Sequence, residues 1–189
     1  MRHSLLSFLA LSTLALGACA PSVGQPLAVA TSASLRSASL TDEGSLVFDK
    51  TVVYRTVEVL GVGATYQSKL DAQGIKTVNQ LLLAGTTPSA RRRLAEATGI
   101  SPKLVLRWIN HADLMRVTGC GPEYARLLEL AGVDTVLELA RRNSVSLAAR
   151  LASANDLGAG KRCVHRLPNV TTTTRWVDNA QRFVRLVTY

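Results

Sequence analysis

Between Leu104 and Ala112 the apolar residues Leu104, Val105, Trp108, Ile109 and Ala112 recur at intervals that place them on one face of a helix. Ser101-Pro102 opens that helix, because a serine hydroxyl accepts from the first free amides and proline suits the first helical position. Pro88 marks another start. Residues 64–73 and 122–131 read as two further helices, stopped by Gly74 and Gly132 in the C′ position. Thr77 and Thr135 cap the short helices that follow, with Leu81 and Leu139 facing inward. Thr173 or Thr174 begins a last helix around Trp176, Ala180 and Phe183. At the two ends the pattern changes. Residues 51–59 and 183–189 are rich in β-branched side chains and predict two strands, which most simply pair with each other. The expected fold class is mainly α, with that one short β pairing.

The same spacing occurs twice. Gly61/Gly119, Gly63/Gly121, Tyr66/Tyr124, Leu70/Leu128, Gly74/Gly132, Thr77/Thr135 and Val78/Val136 match without a gap. Further on, Arg107-Trp108-Ile109-Asn110 and Ala112 reappear as Arg175-Trp176-Val177-Asp178 and Ala180. Two copies of one unit, about 57–114 and 115–183, therefore fill nearly the whole folded part, each burying an apolar face against its neighbour. In each copy a G-x-G turn leads into a helix, and glycine supplies the positive φ that the turn needs. The recurrence of Tyr66, Tyr124, Trp108 and Trp176 at matching positions favours core packing over base stacking.

This pattern resembles the helix-hairpin-helix motif. The tandem arrangement with its Arg-Trp helices is similar to a bacterial family of unknown function built on that motif, over about residues 57–183. The resemblance implies that backbone amides of each hairpin meet a nucleic-acid phosphate at a helix N-terminus, where unpaired N–H groups and the helix dipole favour an anion. Carried over by motif, the candidates are Gly61, Val62 and Gly63 in one copy and Gly119, Cys120 and Gly121 in the other. Lys69 and Arg126, on the helices that follow, add charge.

Before the repeats lies a different kind of sequence. Arg2 and His3 precede an apolar run from Leu5 to Leu16, too short for a spanning helix, which needs about 20 residues, and of the right length for a secretory signal. Leu16-Gly17-Ala18-Cys19 resembles the lipobox of bacterial lipoproteins, which implies that 1–18 is a cleaved signal peptide and Cys19 a lipidation site. Ala20 after that cysteine resembles the pattern of outer-membrane retention, hence the periplasmic face of the outer membrane in a cell with two membranes. Residues 19–45, with few charges and many Ala, Ser and Thr, read as a flexible tether, and 46–189 as the folded domain. Cys120 and Cys163 are then the remaining cysteines. Outside the cytoplasm they are free to form a disulfide or to stay reduced, and spacing does not decide between the two.

Charge narrows the partners. The 189-residue chain carries a formal +9, which falls by one when Arg2 leaves with the signal, and this favours nucleic acid, anionic lipid or an anionic envelope polymer. Arg91-Arg92-Arg93, Lys103 and Arg107, and Arg141-Arg142 with Arg150 read as positive surface. Catalysis is not expected. His111 and His165 are isolated, and no metal-binding spacing occurs. Cys163 and His165 adjoin each other without an orienting third group. Gly61-Val62-Gly63 lacks the third glycine of a dinucleotide loop, and residues 158–162 lack the first Gly and the Ser/Thr of a P-loop. No cofactor, catalytic residue or metal is anticipated. The expected protein is a membrane-tethered, non-catalytic module that binds DNA backbone phosphates irrespective of sequence. Competence receptors, which join an anchor and linker to helix-hairpin-helix repeats, have an architecture it resembles. The alternative is an envelope scaffold whose partner is a protein or anionic polymer.

Overall fold

Helix starts in this chain are set by its small polar residues. The computed structural model describes residues 53–157 and 160–189. The signal segment, Cys19 and the whole of the tether fall before residue 53, outside the described residues. Among the described residues eight α-helices form: α1 (Ala64–Asp71), α2 (Val78–Ala84), α3 (Pro88–Thr98), α4 (Pro102–Leu114), α5 (Pro122–Leu130), α6 (Val136–Ala140), α7 (Ser144–Ala154) and α8 (Val170–Ala180). Thr77, Thr87, Ser101 and Thr135 accept from the amide three residues on and cap α2, α3, α4 and α6. Asn143 and Asn169 do the same for α7 and α8. The last helix thus starts earlier than expected. Thr173 lies inside it, fully buried, and its hydroxyl donates to carbonyls including Ser144 O (2.9 Å). Helix α7, which no pattern in the sequence analysis marked, carries Leu147 and Leu151 into the core.

Packing follows the order of the helices. Helices α2 and α3 pack on α4, α6 and α7 pack on α8, and α5 bridges α4 to α7. Trp108 of α4 and Trp176 of α8 are buried in one continuous apolar core with Leu70, Leu81, Leu128 and Leu139. Where α4 ends, the buried pair Asp113–Arg116 ties three segments together. Arg116 donates to Asp113 Oδ1 (2.6 Å) and to Val184 O (3.1 Å), while Asp113 Oδ2 accepts from Val136 N (2.9 Å) at the start of α6.

Among the described residues the expected β pairing of the two ends does not form. Arg55 makes a single antiparallel bridge with Thr77, and Thr56–Glu58 closes into a 3₁₀ turn. The Glu58 carboxylate favours that turn by accepting from Arg55 N at 2.7 Å. The C-terminal segment docks instead on the turn between α2 and α3. Thr188 N donates to Thr86 O (2.9 Å), and Arg91 donates to Thr188 O (2.7 Å). β-branched residues here fill the core without building a ladder, as Val59 and Val187 show by their burial.

Candidate anion-binding sites

Each glycine hairpin is closed by its own backbone. Gly61 sits at φ +95° and Gly119 at +80°, a region that favours glycine. Val62 N donates to Val59 O (3.0 Å) and Cys120 N to Val117 O (2.9 Å). These two amides therefore hold the turns, and the side chains of Val62 and Cys120 lie in the core. Of the six hairpin residues singled out by the motif, they are the two whose donors are already engaged. A tryptophan supports each turn from behind. A Cβ placed on Gly61 would lie 3.4 Å from the Trp108 indole nitrogen, and one on Gly119 3.6 Å from that of Trp176. Tyr66 meets Trp108 edge-on at 5.2 Å between ring centroids, and Tyr124 meets Trp176 likewise at 5.1 Å.

The donors left over belong to the helices that the hairpins open. Gly63 and Gly121 are the N-caps of α1 and α5, and neither supplies a side-chain acceptor. In the other six helices a Thr, Ser or Asn does. The first amides of α1, on Ala64, Thr65 and Tyr66, have no partner within a helix. Nothing lies within 4 Å of a Cβ placed on Gly63, so this end is open. The second hairpin is more crowded. Tyr54 Oη lies 3.4 Å from a Cβ placed on Gly121, Pro122 removes one amide, and Glu123 stands in the first turn. The first hairpin leaves its helix end the more open of the two.

The expected cations are mostly elsewhere. Lys69 stands in the last turn of α1 and reaches Gly99 O at 3.4 Å. Arg126 pairs with Glu129, which also holds Arg107 (3.0 Å) and His111 Nε2 (2.9 Å). Arg91 is nearly buried, donating to Gly85 O (2.9 Å) and Thr188 O, so it is a structural strap and not positive surface. Burial lowers its pKa. Arg92 and Arg93 remain exposed. Cys120 and Cys163 are both free thiols, and burial raises the pKa of each, which makes them poor nucleophiles. His111, isolated in the sequence, is buried against Glu129. Among the described residues no group of three or more His, Cys, Asp or Glu could hold a metal.

A cleft of about 620 Å³ opens on the Gly119 side of the second hairpin. Tyr124 and Trp176 line it, and Arg166, Arg175 and Arg182 stand around it with Asp178 and Asn179. Sequence reasoning missed this site, although Arg175 had appeared in the Arg-Trp echo. Arg107 has a carboxylate partner and Arg175, among the described residues, has none, a difference that only the packing of the helices reveals.

Residues 60–183 match the family described as a domain of unknown function, DUF4332. The chain belongs to this family. The DUF4332 stretch takes in both hairpins, both tryptophan helices and the cleft, and stops before the C-terminal segment that docks on the turn between α2 and α3. No curated protein and no solved structure matches the chain.

Proposed function

We propose that this DUF4332 domain is a non-catalytic module of tandem helix-hairpin-helix units that holds the phosphate backbone of DNA, chiefly at the N-terminus of α1. The observation that carries the reading is the pair of bare helix ends at Gly63 and Gly121 in a chain that caps all its other described helices with a side chain. Gly63 has φ −79° and open space where a Cβ would be, so neither conformation nor packing inside the chain requires glycine there. Close approach of an outside anion does. The second hairpin contributes a weaker contact through Gly121, and the exposed Arg92, Arg93 and other cations of a +9 chain add attraction at longer range.

Within the same proposal, Cys19 carries lipid and residues 19–45 tether the domain roughly 30 Å from the membrane. The DNA is then extracellular or in transit across the envelope. The test is fluorescence anisotropy of duplex DNA with the full chain in mild detergent across a salt series. Micromolar binding whose logarithm falls linearly with that of salt, alike for unrelated sequences, is expected. Absence of binding at low salt contradicts the reading.

A further inference from the structure

Helices α4 and α8 carry the same Arg-Trp pattern but have different neighbours. On α4 the residues around Trp108 face α5, whose Glu129 carboxylate takes Arg107 and His111 together. The corresponding residues on α8 are Arg175 and Asn179, one before and three after Trp176. They face the cleft. None of Arg166, Arg175 and Arg182 takes part in an ion pair among the described residues. Against these three positive charges the lining offers one carboxylate, Asp178. Two buried side-chain polar atoms lack a hydrogen-bond partner among the described residues, His111 Nδ1 and Asn179 Oδ1, and they stand at this same position of the two helices.

We infer that the cleft beside Gly119 binds a nucleotide unit: a phosphate held by Arg175, Arg182 and Arg166, with the sugar and base covering Leu167 and Pro168. The phosphate takes the part that Glu129 plays on α4. Guanidinium groups suit it because their paired donors match the oxygens of a phosphate, and a bidentate contact is short and directional. The apolar part of the lining separates a nucleotide from a bare anion. Leu167 is exposed beside the arginines, so a phosphate bearing an organic group covers apolar surface that inorganic phosphate leaves bare. The volume accommodates a ligand of that size. This inference goes beyond the hairpin reading. It uses side chains of α8 and of the segment before it, and it stands if the bare end of α1 binds nothing.

The chain has two tryptophans, and one of them lines the cleft, so the two indole N–H signals in a ¹⁵N–¹H spectrum report the site and a control together. The full chain in mild detergent is titrated with thymidine 5′-monophosphate, inorganic phosphate, thymidine and dextran sulfate. The expected result is that the Trp176 signal moves with the nucleotide, less with phosphate and not with thymidine, while the Trp108 signal stays. Arg175→Gln with Arg182→Gln, both at exposed positions, weakens nucleotide binding by at least about tenfold. Gly63→Asp leaves it unchanged, which separates this site from the hairpin. An oligothymidylate that binds more tightly than the monomer assigns the nucleotide to a strand; equal affinity assigns it to a free nucleotide. A still Trp176 signal at millimolar nucleotide overturns the inference. So does equal binding by the double variant, or a response to dextran sulfate alone.

Discussion

Alanine at position 61 would have to hold φ near +95° and set a Cβ 3.4 Å from the Trp108 indole. The first demand alone costs about 1–2 kcal/mol, so Gly61→Ala lowers the unfolding free energy from urea titration by about that amount and Gly63→Ala by less. The two glycines look alike in the sequence and differ in their reason for being there. Arg91 gives a second residue-scale test. Arg91→Met removes the donors to Gly85 O and Thr188 O and costs about 1–3 kcal/mol. Hydrogen exchange should show the Thr188 amide losing protection before the core does. The sequence could not distinguish Arg91 from Arg92 and Arg93, because burial of one arginine in a run of three depends on a C-terminal segment 97 residues away.

Element boundaries were legible wherever a cap or a stop is local. Ser101-Pro102, Thr77 and Thr135 open α4, α2 and α6 as their chemistry demands, and Gly74 and Gly132, both at φ +75°, follow the ends of α1 and α5. What depended on partners was not legible. The β-branched ends looked like strands, but their backbone groups go to different turns. Helix α7 was overlooked although Asn143 caps it, since its apolar positions make sense only against α8.

The α4–α5 joint carries a pH dependence. Burial lowers the His111 pKa below its usual 6.5, outweighing the hydrogen bond and charge of Glu129 that raise it. Burial raises the Glu129 pKa, but the hydrogen bonds from His111 and Arg126 outweigh that and hold it below 4.5. A base with a lowered native pKa binds protons more readily when unfolded, so stability falls as pH drops below 6.5. An acid with a lowered native pKa loses its contribution as pH falls from 4.5 through that native value. Both losses have the same sign. Urea midpoints measured against pH should decline in two stages, and His111→Gln should remove the upper one. At the end of α4, Arg116→Met leaves the Asp113 carboxylate buried without its partner and costs about 3–5 kcal/mol in the same assay.

At the scale of the whole molecule, a chain that caps six described helices with side chains and leaves two bare has put those two behind glycine hairpins. The capping pattern itself could be read from the sequence, since Gly63 and Gly121 stand where the other helices have Thr, Ser or Asn. The cleft could not, because it arises from what fails to pack on α8. The two sites have different electrostatics, one made of backbone amides and the other of guanidinium groups, and so they respond to different substitutions. DNA is proposed to be held at the first.

Gly63→Asp probes the end of α1 cleanly, because it acts in opposite directions on folding and on binding. An aspartate there accepts from the first amides of α1 and complements the helix dipole, which stabilises the domain by about 0.5–1 kcal/mol. The same carboxylate occupies the donors and repels a phosphate. Melting temperature and duplex-DNA affinity are measured together on the full chain and on this variant. If a phosphate is held at the end of α1, the melting temperature rises while affinity falls by at least about tenfold. A higher melting temperature with unchanged affinity would show that the helix end is not where DNA is held.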